Sequence, residues 1–471
     1  MERIHESDVR AGTSSSVEPN RTFTSYQIEF LLNEIAFLQA ELRSRRVYPA
    51  IDFLHLHMMQ LYWTVTRVLK HIASPFLQST RSTCGVPLPR PSPNRQRVEW
   101  SGEPRLFIDV TSTHRHDAKT GIQRVVREVA KASIKSGWAL PVIIEDGQLR
   151  SYFRHPDLPD NIEIKSGDRL LLLDTSWNHA NEYPPILDEV VRRKGVIIGF
   201  YYDIIPLLYP GLFVPEASKA FQNWFEMSLP YFSAVATISR SVALDVSQYI
   251  SSRKLSHKSN LRVGWFHLGA DFDSNAESTP SEHVVALGGR GSFFLLVGTL
   301  EPRKNHVTVL AAFEQIWKLG GDACCVIVGK RGWLVNALCD RIQRHPEFGR
   351  KLFWFETCSD ADLTYLYHHA TALIQASLAE GFGLPLVEAA HFGTPVIASD
   401  IPVFREIGGS SCSYFDPVNA ETLAGRVLEA LKSPRSAPTI AVLSWADATE
   451  RLLKLIKEAD YEFTVPDVPP S

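Results

Sequence analysis

The 471-residue chain is poor in cysteine, with six in all, at positions 84, 324, 325, 339, 358 and 412. No two form a CxxC pair and none has zinc-ligand spacing, which excludes a disulfide scaffold and a zinc module. So few cysteines suit a reducing compartment, with buried thiols as the default. Long apolar runs are also missing: no stretch reaches about 18 uninterrupted apolar residues, so no transmembrane helix is predicted. The first 26 residues are polar and show no apolar run before a small-residue cleavage site, so no secretory signal is expected. Neither sign of charge is in excess. Lys and Arg number 49 against 52 Asp and Glu, for a net charge of −3, which argues against a globally basic nucleic-acid binder. What is present is ordinary globular composition, 45% hydrophobic and 21% charged. That excludes a collagen-like, coiled-coil or mainly disordered chain. The length predicts about two to four domains.

The N-terminal part differs in type from the rest. Residues 1–26 are rich in Ser, Thr and charge and are expected to be disordered. Ile28, Leu31, Ile35, Leu38 and Leu42 then follow a heptad spacing over about two heptads. A second, very apolar helix is predicted from Ile51 to about Ile72. It lies in a basic stretch from 43 to 97 whose single acid is Asp52. Residues 27–77 therefore suit either an anionic membrane surface or a helical hairpin packed on the main body or on another subunit. Residues 78–104 hold five prolines and read as a linker.

From 105 the pattern alternates. RLFIDV, RLLLLD, GVIIGFYYD, AVATIS and LRVGWFHL are short apolar runs separated by segments of helical period. After the polar, Gly-containing stretch 271–291, read as an interdomain linker, alternation resumes with FFLLVG, CCVIVG, LFWFE, ALIQA and PVIASD. Apolar strands between helices mean parallel sheets covered on both faces. The expected fold is α/β, with two tandem doubly wound Rossmann-like domains, 105–270 and 292–443, facing a cleft. A closing helix and tail occupy 444–471. Ligands of such folds sit at the carboxyl ends of the strands.

Three stretches carry candidate chemistry. In ALIQASLAEGFGLPLVEAAHFGTPVIASD a strand leads into the loop Glu380-Gly381-Phe382-Gly383, and Pro385 suits a first helical turn. Free N–H groups there face an anion. Glu380 and Glu388 stand eight apart, and carboxylates in such a cleft match a ligand with hydroxyl donors beside phosphate. In FFLLVGTLEPRKN, Arg303 and Lys304 follow a strand, where two cations neutralise a diphosphate leaving group; the alternative is a solvated basic turn. In FIDVTSTHRHDAKTGIQRVVREV, Gly121 opens a helix and allows close approach of a phosphate or sugar. A single Gly is not a dinucleotide fingerprint. Asp271-Phe272-Asp273 matches a DxD pattern, but it falls in the linker and no metal is expected. Asp174 and Trp177 follow a strand at its carboxyl end, where Trp177 either stacks on an acceptor sugar or fills the cleft wall.

Together these stretches resemble the family 4 retaining glycosyltransferases, of GT-B fold, over about 105–456. LLLLDTSW, YYDIIPLLYP, ATISRSVALDV, FHLGAD and SWADATERLLKLI add to the likeness in the expected order. The resemblance implies sugar transfer, with retention, from a nucleotide-sugar to a glycan or lipid-linked acceptor in cell-surface glycan biosynthesis of bacterial type. The EPRKN turn leans toward GDP-mannose. Arg303 and Lys304 would hold the diphosphate, and Glu380 with the backbone of Gly381, Phe382 and Gly383 the donor sugar. Glu388 would take the ribose hydroxyls. Gly121, Gly298, Thr299 and Leu384 complete the donor side. Asp203 would be the catalytic-side residue near the acceptor, with Asp174, Trp177 and Tyr202 on that same side. Two departures stand out: Tyr202 replaces a common His, and Thr299 a common Arg. The implied enzyme needs no cofactor and no metal, binds no nucleic acid, and works in the cytoplasm at the inner face of the membrane. The other readings are a sugar-nucleotide epimerase or hydrolase on the same fold, and a non-catalytic subunit.

Overall fold

A computed structural model describes residues 104–116, 120–152, 160–271, 279–432 and 439–467. The expectations for 1–103 lie outside these residues, as do Phe272 and Asp273 of the DxD pattern. Among the described residues the strands form two sheets. The first contains β1 (Leu106–Asp109), β2 (Leu140–Glu145), β3 (Gln148–Ser151), β4 (Arg169–Leu171), β5 (Val196–Tyr201), β6 (Phe232–Thr237) and β7 (Arg262–Trp265). The second contains β8 (Phe293–Val297), β9 (Cys324–Val328), β10 (Leu352–Phe355), β11 (Ala372–Gln375), β12 (Val396–Ser399) and β13 (Ser413–Phe415). The last strand, β14 (Phe463–Thr464), returns to the first sheet, whose order is β14-β7-β6-β5-β4-β1-β2-β3. The second sheet runs β10-β9-β8-β11-β12-β13, all parallel. Both orders reverse direction at the first strand of their domain, β1 and β8. A crevice opens at such a reversal.

The apolar runs are strands because both faces are covered. Every residue of β9, β11 and β12 is buried. The Gly121–Ser136 helix buries Val125, Val126, Val129, Ala130 and Ser133 on one face, at helical spacing. Gln123 folds back to accept from the Thr120 N–H at 3.0 Å, and the helix stops at Gly137 in a left-handed conformation, φ +71°. One apolar cluster runs without a break from Ile108 through Phe266 and Trp445 to Leu295 and Phe404, joining the two domains.

Four features depart from the sequence reading. β2 and β3 form an antiparallel hairpin on one edge, turning at Asp146 and Gly147, both with positive φ. The expected linker 271–291 contains a helix, Glu282–Gly288, because Val284 and Leu287 share a face and are buried. β13 adds a sixth strand beside β12. The tail after the closing helix carries a strand: the Trp445–Glu458 helix packs on the Gly121–Ser136 helix, and β14 beyond it pairs antiparallel with β7. The chain thus crosses between domains twice, and the crossings touch. The Ala270 N–H donates to the Leu443 carbonyl at 3.0 Å, and the Trp445 N–H donates to Asp271 Oδ1 at 2.6 Å.

Candidate active site

The basic turn is built on the carboxyl end of β8. Gly298 takes φ +144°, open only to glycine without strain, and the Lys304 side chain lies over it. Thr299 follows, half-buried beside the 329–332 loop. Pro302–Lys304 makes a single tight turn, and Asn305, at φ +57°, admits the chain to the His306–Lys318 helix. The turn is not solvated. The Arg303 and Lys304 side chains are 18% and 12% exposed.

Both cations converge on Glu380, at the end of the loop after β11. Arg303 Nη1 lies 2.8 Å and Lys304 Nζ 2.7 Å from Glu380 Oε2, and the Ser377 hydroxyl donates to the same oxygen at 3.0 Å. Arg303 Nε also pairs with the buried Glu301 at 2.6 Å. Burial alone would raise the Glu380 carboxyl. The Arg303 and Lys304 charges outweigh it and hold the group at about 2, so Glu380 is ionised across the working pH range. Burial would lower Arg303, but the charges of Glu380, Glu301 and Asp203 win and raise it. Burial raises Glu301 and Asp203 above the usual carboxylate range, with Arg303 opposing in both cases.

Asp203 comes from the other domain. It sits just past β5, where its Oδ1 accepts from the Ile205 N–H at 3.0 Å. Its neighbour Tyr202 presses its backbone on the glycine loop: a Cβ placed on Gly381 would lie 2.2 Å from the Tyr202 carbonyl oxygen. The Ser239 hydroxyl donates to the Gly381 carbonyl at 2.7 Å, and the His267 ring lies 5.7 Å from that of the buried Phe382. Gly383 takes φ +94° against Phe404 and opens the Leu384–His391 helix. The glycine loop is therefore held from both domains, with a helix N-terminus behind it.

Glu388 is one turn inside that helix and 4% exposed. One of its oxygens accepts from Arg124 of the first domain and the other from the Tyr367 hydroxyl at 2.7 Å. Gly121, at the start of the Arg124 helix, faces Leu384 at 3.6 Å from its would-be Cβ. The two helix starts meet across the cleft.

The residues expected on the acceptor side behave differently. Tyr202 is a core residue, because its ring packs on Phe200 at 5.0 Å and its hydroxyl donates to the Leu173 carbonyl at 2.9 Å. Asp174 is 1% exposed and turned into the fold. It accepts from the Thr113 N–H (2.6 Å) and hydroxyl (3.0 Å) and from the Thr175 N–H (2.7 Å), so it organises two loops rather than facing a ligand. Burial, then the nearby Asp109, pushes it up to about 7. Trp177 is half-buried and edge-on to Phe221 at 5.1 Å, filling the wall. His114 is exposed, in the short helix Thr111–Arg115, with its ring edge-on to that of Tyr152.

Sequence reasoning missed several participants. Arg124 stands inside a motif already singled out, three residues after Gly121 and so on one helix face with it. Trp333 links the two domains: its Nε1–H donates to the Leu212 carbonyl at 2.9 Å and its ring stacks on Phe213 at 5.6 Å. Glu406 accepts from Ser241 and His267 of the first domain, both through side chains, at 2.6 and 2.8 Å. These contacts join positions far apart in sequence and carry no local signal. Among the described residues no group of three or more His, Cys, Asp or Glu side chains is placed to hold a metal ion.

Known proteins bear on this arrangement. Residues 282–441 match the family described as glycosyl transferases group 1. The chain is 36% identical over 377 residues to the serotype-specific mannosyltransferase WbdA of Escherichia coli, covering 74% of this chain and 44% of that protein. It is 30% identical over 191 residues to O-antigen chain mannosyltransferase B of Escherichia coli, covering 40% and 47% respectively. The chain thus spans about half the length of the curated relatives it matches. Sucrose-phosphate synthase of Thermosynechococcus elongatus shares the fold, with a TM-score of 0.50 at 17% identity over 75% of this chain and 98% of that one. Residues 282–441 thus match a group 1 glycosyltransferase domain, and the chain has the GT-B fold.

Proposed function

We propose that the protein transfers a mannosyl residue, with retention, from GDP-mannose to a lipid-linked or polysaccharide acceptor in cell-surface glycan biosynthesis. The observation that carries this reading is the buried cluster of Arg303, Lys304 and Glu380 at the carboxyl ends of β8 and β11, opposite Asp203. Relatives named as a serotype-specific mannosyltransferase and as O-antigen chain mannosyltransferases support the sugar and the pathway, and favour transfer over an epimerase or hydrolase.

The chemistry follows from charge. As the bond from the sugar's anomeric carbon to the phosphate oxygen breaks, negative charge builds on the diphosphate. Arg303, Lys304 and the N-terminus of the Leu384–His391 helix stabilise it in a site shielded from water. The acceptor hydroxyl approaches on the same face. Its oxygen bonds to the anomeric carbon, and its proton passes to the leaving diphosphate oxygen. Glu380 orients the donor sugar with the backbone of Gly381 to Gly383. Glu388 takes the ribose hydroxyls. Asp203, made less acidic by burial, borders the acceptor. No step calls for a metal ion.

The test is transfer from labelled GDP-mannose to a mannose-terminated oligosaccharide, with and without EDTA. Transfer that survives EDTA supports the reading, and GDP release without acceptor-dependent product refutes it. We further propose that residues 27–77 bring the protein to an anionic membrane surface. Removing residues 1–100 should abolish sedimentation with anionic vesicles, and a truncated protein that still sediments contradicts this. Among the described residues no helix is long and apolar enough to cross a membrane.

A further inference from the structure

Arg124 has no role in the scheme above, yet it touches three places that matter. Its Nη1 pairs with Glu388 Oε1 across the cleft. Its Nη2 donates to the Asp271 carbonyl at 3.3 Å, on the first crossing between the domains. Its guanidinium lies 5.8 Å from the Trp445 ring centroid, on the second crossing. The two crossings are tied to each other through the Trp445 N–H and Asp271 Oδ1. Gly269 on the first crossing is packed so tightly that an added Cβ would lie 2.6 Å from the Trp445 nitrogen. A single rigid guanidinium thus spans the paired chain crossings between the domains and a nearly buried carboxylate of the other domain. Its planar fork suits this use, since it donates in two directions from one fixed plane.

We propose that Arg124 is a positioning residue for the nucleotide-sugar: it makes the donor's ribose site complete only when the two domains are closed. The inference rests on the reading of Glu388 as the ribose-binding carboxylate. Closure brings Arg124 to Glu388 and fixes the carboxylate for the ribose hydroxyls. Opening withdraws the cation and leaves a desolvated charge facing the cleft, which is costly. Donor affinity and hinge angle are coupled through this one side chain, and the coupling is reciprocal.

The test is GDP-mannose binding by calorimetry, together with steady-state kinetics, on the full chain. Arg124→Gln should weaken GDP-mannose binding by about tenfold or more and raise the donor KM more than it lowers kcat. Arg124→Lys, with one ammonium that cannot donate to Glu388 and Asp271 from a fixed plane, should fall between wild type and Arg124→Gln. Arg124→Gln combined with Glu388→Gln should be no weaker than Glu388→Gln alone, since the two act as one unit. Lys131→Gln, in the part-buried pair with Glu128 on the same helix, should bind as wild type. A folded Arg124→Gln protein with wild-type affinity overturns the inference, as do fully multiplicative effects in the double variant. If Arg124→Gln does not fold, wild-type affinity in Arg124→Lys overturns it instead. In each of these cases the transferase reading stands. Failure of the wild-type protein to bind GDP-mannose or any UDP-, ADP- or dTDP-sugar removes that reading and the inference with it.

Discussion

Replacing Glu380 by Gln separates its two jobs. The carboxyl is held at about 2 against an ordinary 4.5, which corresponds to about 3 kcal/mol. The group is 11% exposed, so solvent screening takes little of this away. Because the folded-state value is the lower one, this stabilisation is present above pH 4.5 and fades as pH falls toward 2. The Gln variant should therefore melt about 4–6 °C below wild type at pH 7.5, at about 2 °C per kcal/mol. The gap should shrink below pH 4.5 and reach about half by pH 3. Transfer should fall on the order of 10²-fold or more, as for loss of a preorganised charge at a reacting centre. GDP binding should move the other way. The carboxylate lies beside the cations expected to hold the diphosphate, so its removal takes away a like charge and GDP should bind at least as tightly. Calorimetry with GDP, melting curves at three pH values and initial rates suffice. A GDP affinity that collapses along with the rate would refute the reasoning, because Arg303 and Lys304 would then not be the diphosphate site.

Three further perturbations probe other parts of the site. Gly381→Ala puts a Cβ 2.2 Å from the Tyr202 carbonyl of the opposite domain, which must shift; transfer should drop at least about 10²-fold with little loss of melting temperature. An active Gly381→Ala enzyme would mean that the loop is not gripped as described. Asp174, raised to about 7 from 3.8, favours the fold fully below pH 3.8 and loses that contribution as pH rises through 7. Wild type should therefore lose on the order of 2–4 kcal/mol of stability between pH 4 and 8 from this group. Asp174→Asn should flatten that slope, and an unchanged slope contradicts the assignment. Trp333→Ala removes the stack on Phe213 and the bond to the Leu212 carbonyl. It should lower kcat more than donor affinity, measured by parallel calorimetry and rates, and equal loss of both argues against a role confined to joining the domains.

Much of the fold is readable in the sequence because parallel strands buried on both faces leave unbroken apolar runs such as FFLLV and CCVIV. Where the rule relaxes, reading fails. β14 is two residues long and carries no period. The Glu282–Gly288 helix hides in a polar stretch because only Val284 and Leu287 face inward. The β2–β3 hairpin did carry a signal, Asp146-Gly147 between apolar segments. At the site, residue types at strand ends were legible but their direction was not. Asp174 and Asp203 both follow a strand, yet Asp174 is spent on Thr113 and Thr175, whereas Asp203 meets the cations of the other domain. Arg124 and Glu388 stand 264 positions apart, and only the docking of two domains brings them together.

The most direct test of the central claim is the stereochemistry of the product. The enzyme is incubated with GDP-α-mannose and a mannose-terminated acceptor, and the new anomeric centre is read by NMR. Retention in the wild type, an α-linked mannosyl residue, together with loss of transfer in Arg303→Ala and Lys304→Ala, is the predicted result. A β-linked product, or undiminished transfer by the two alanine variants, would contradict it.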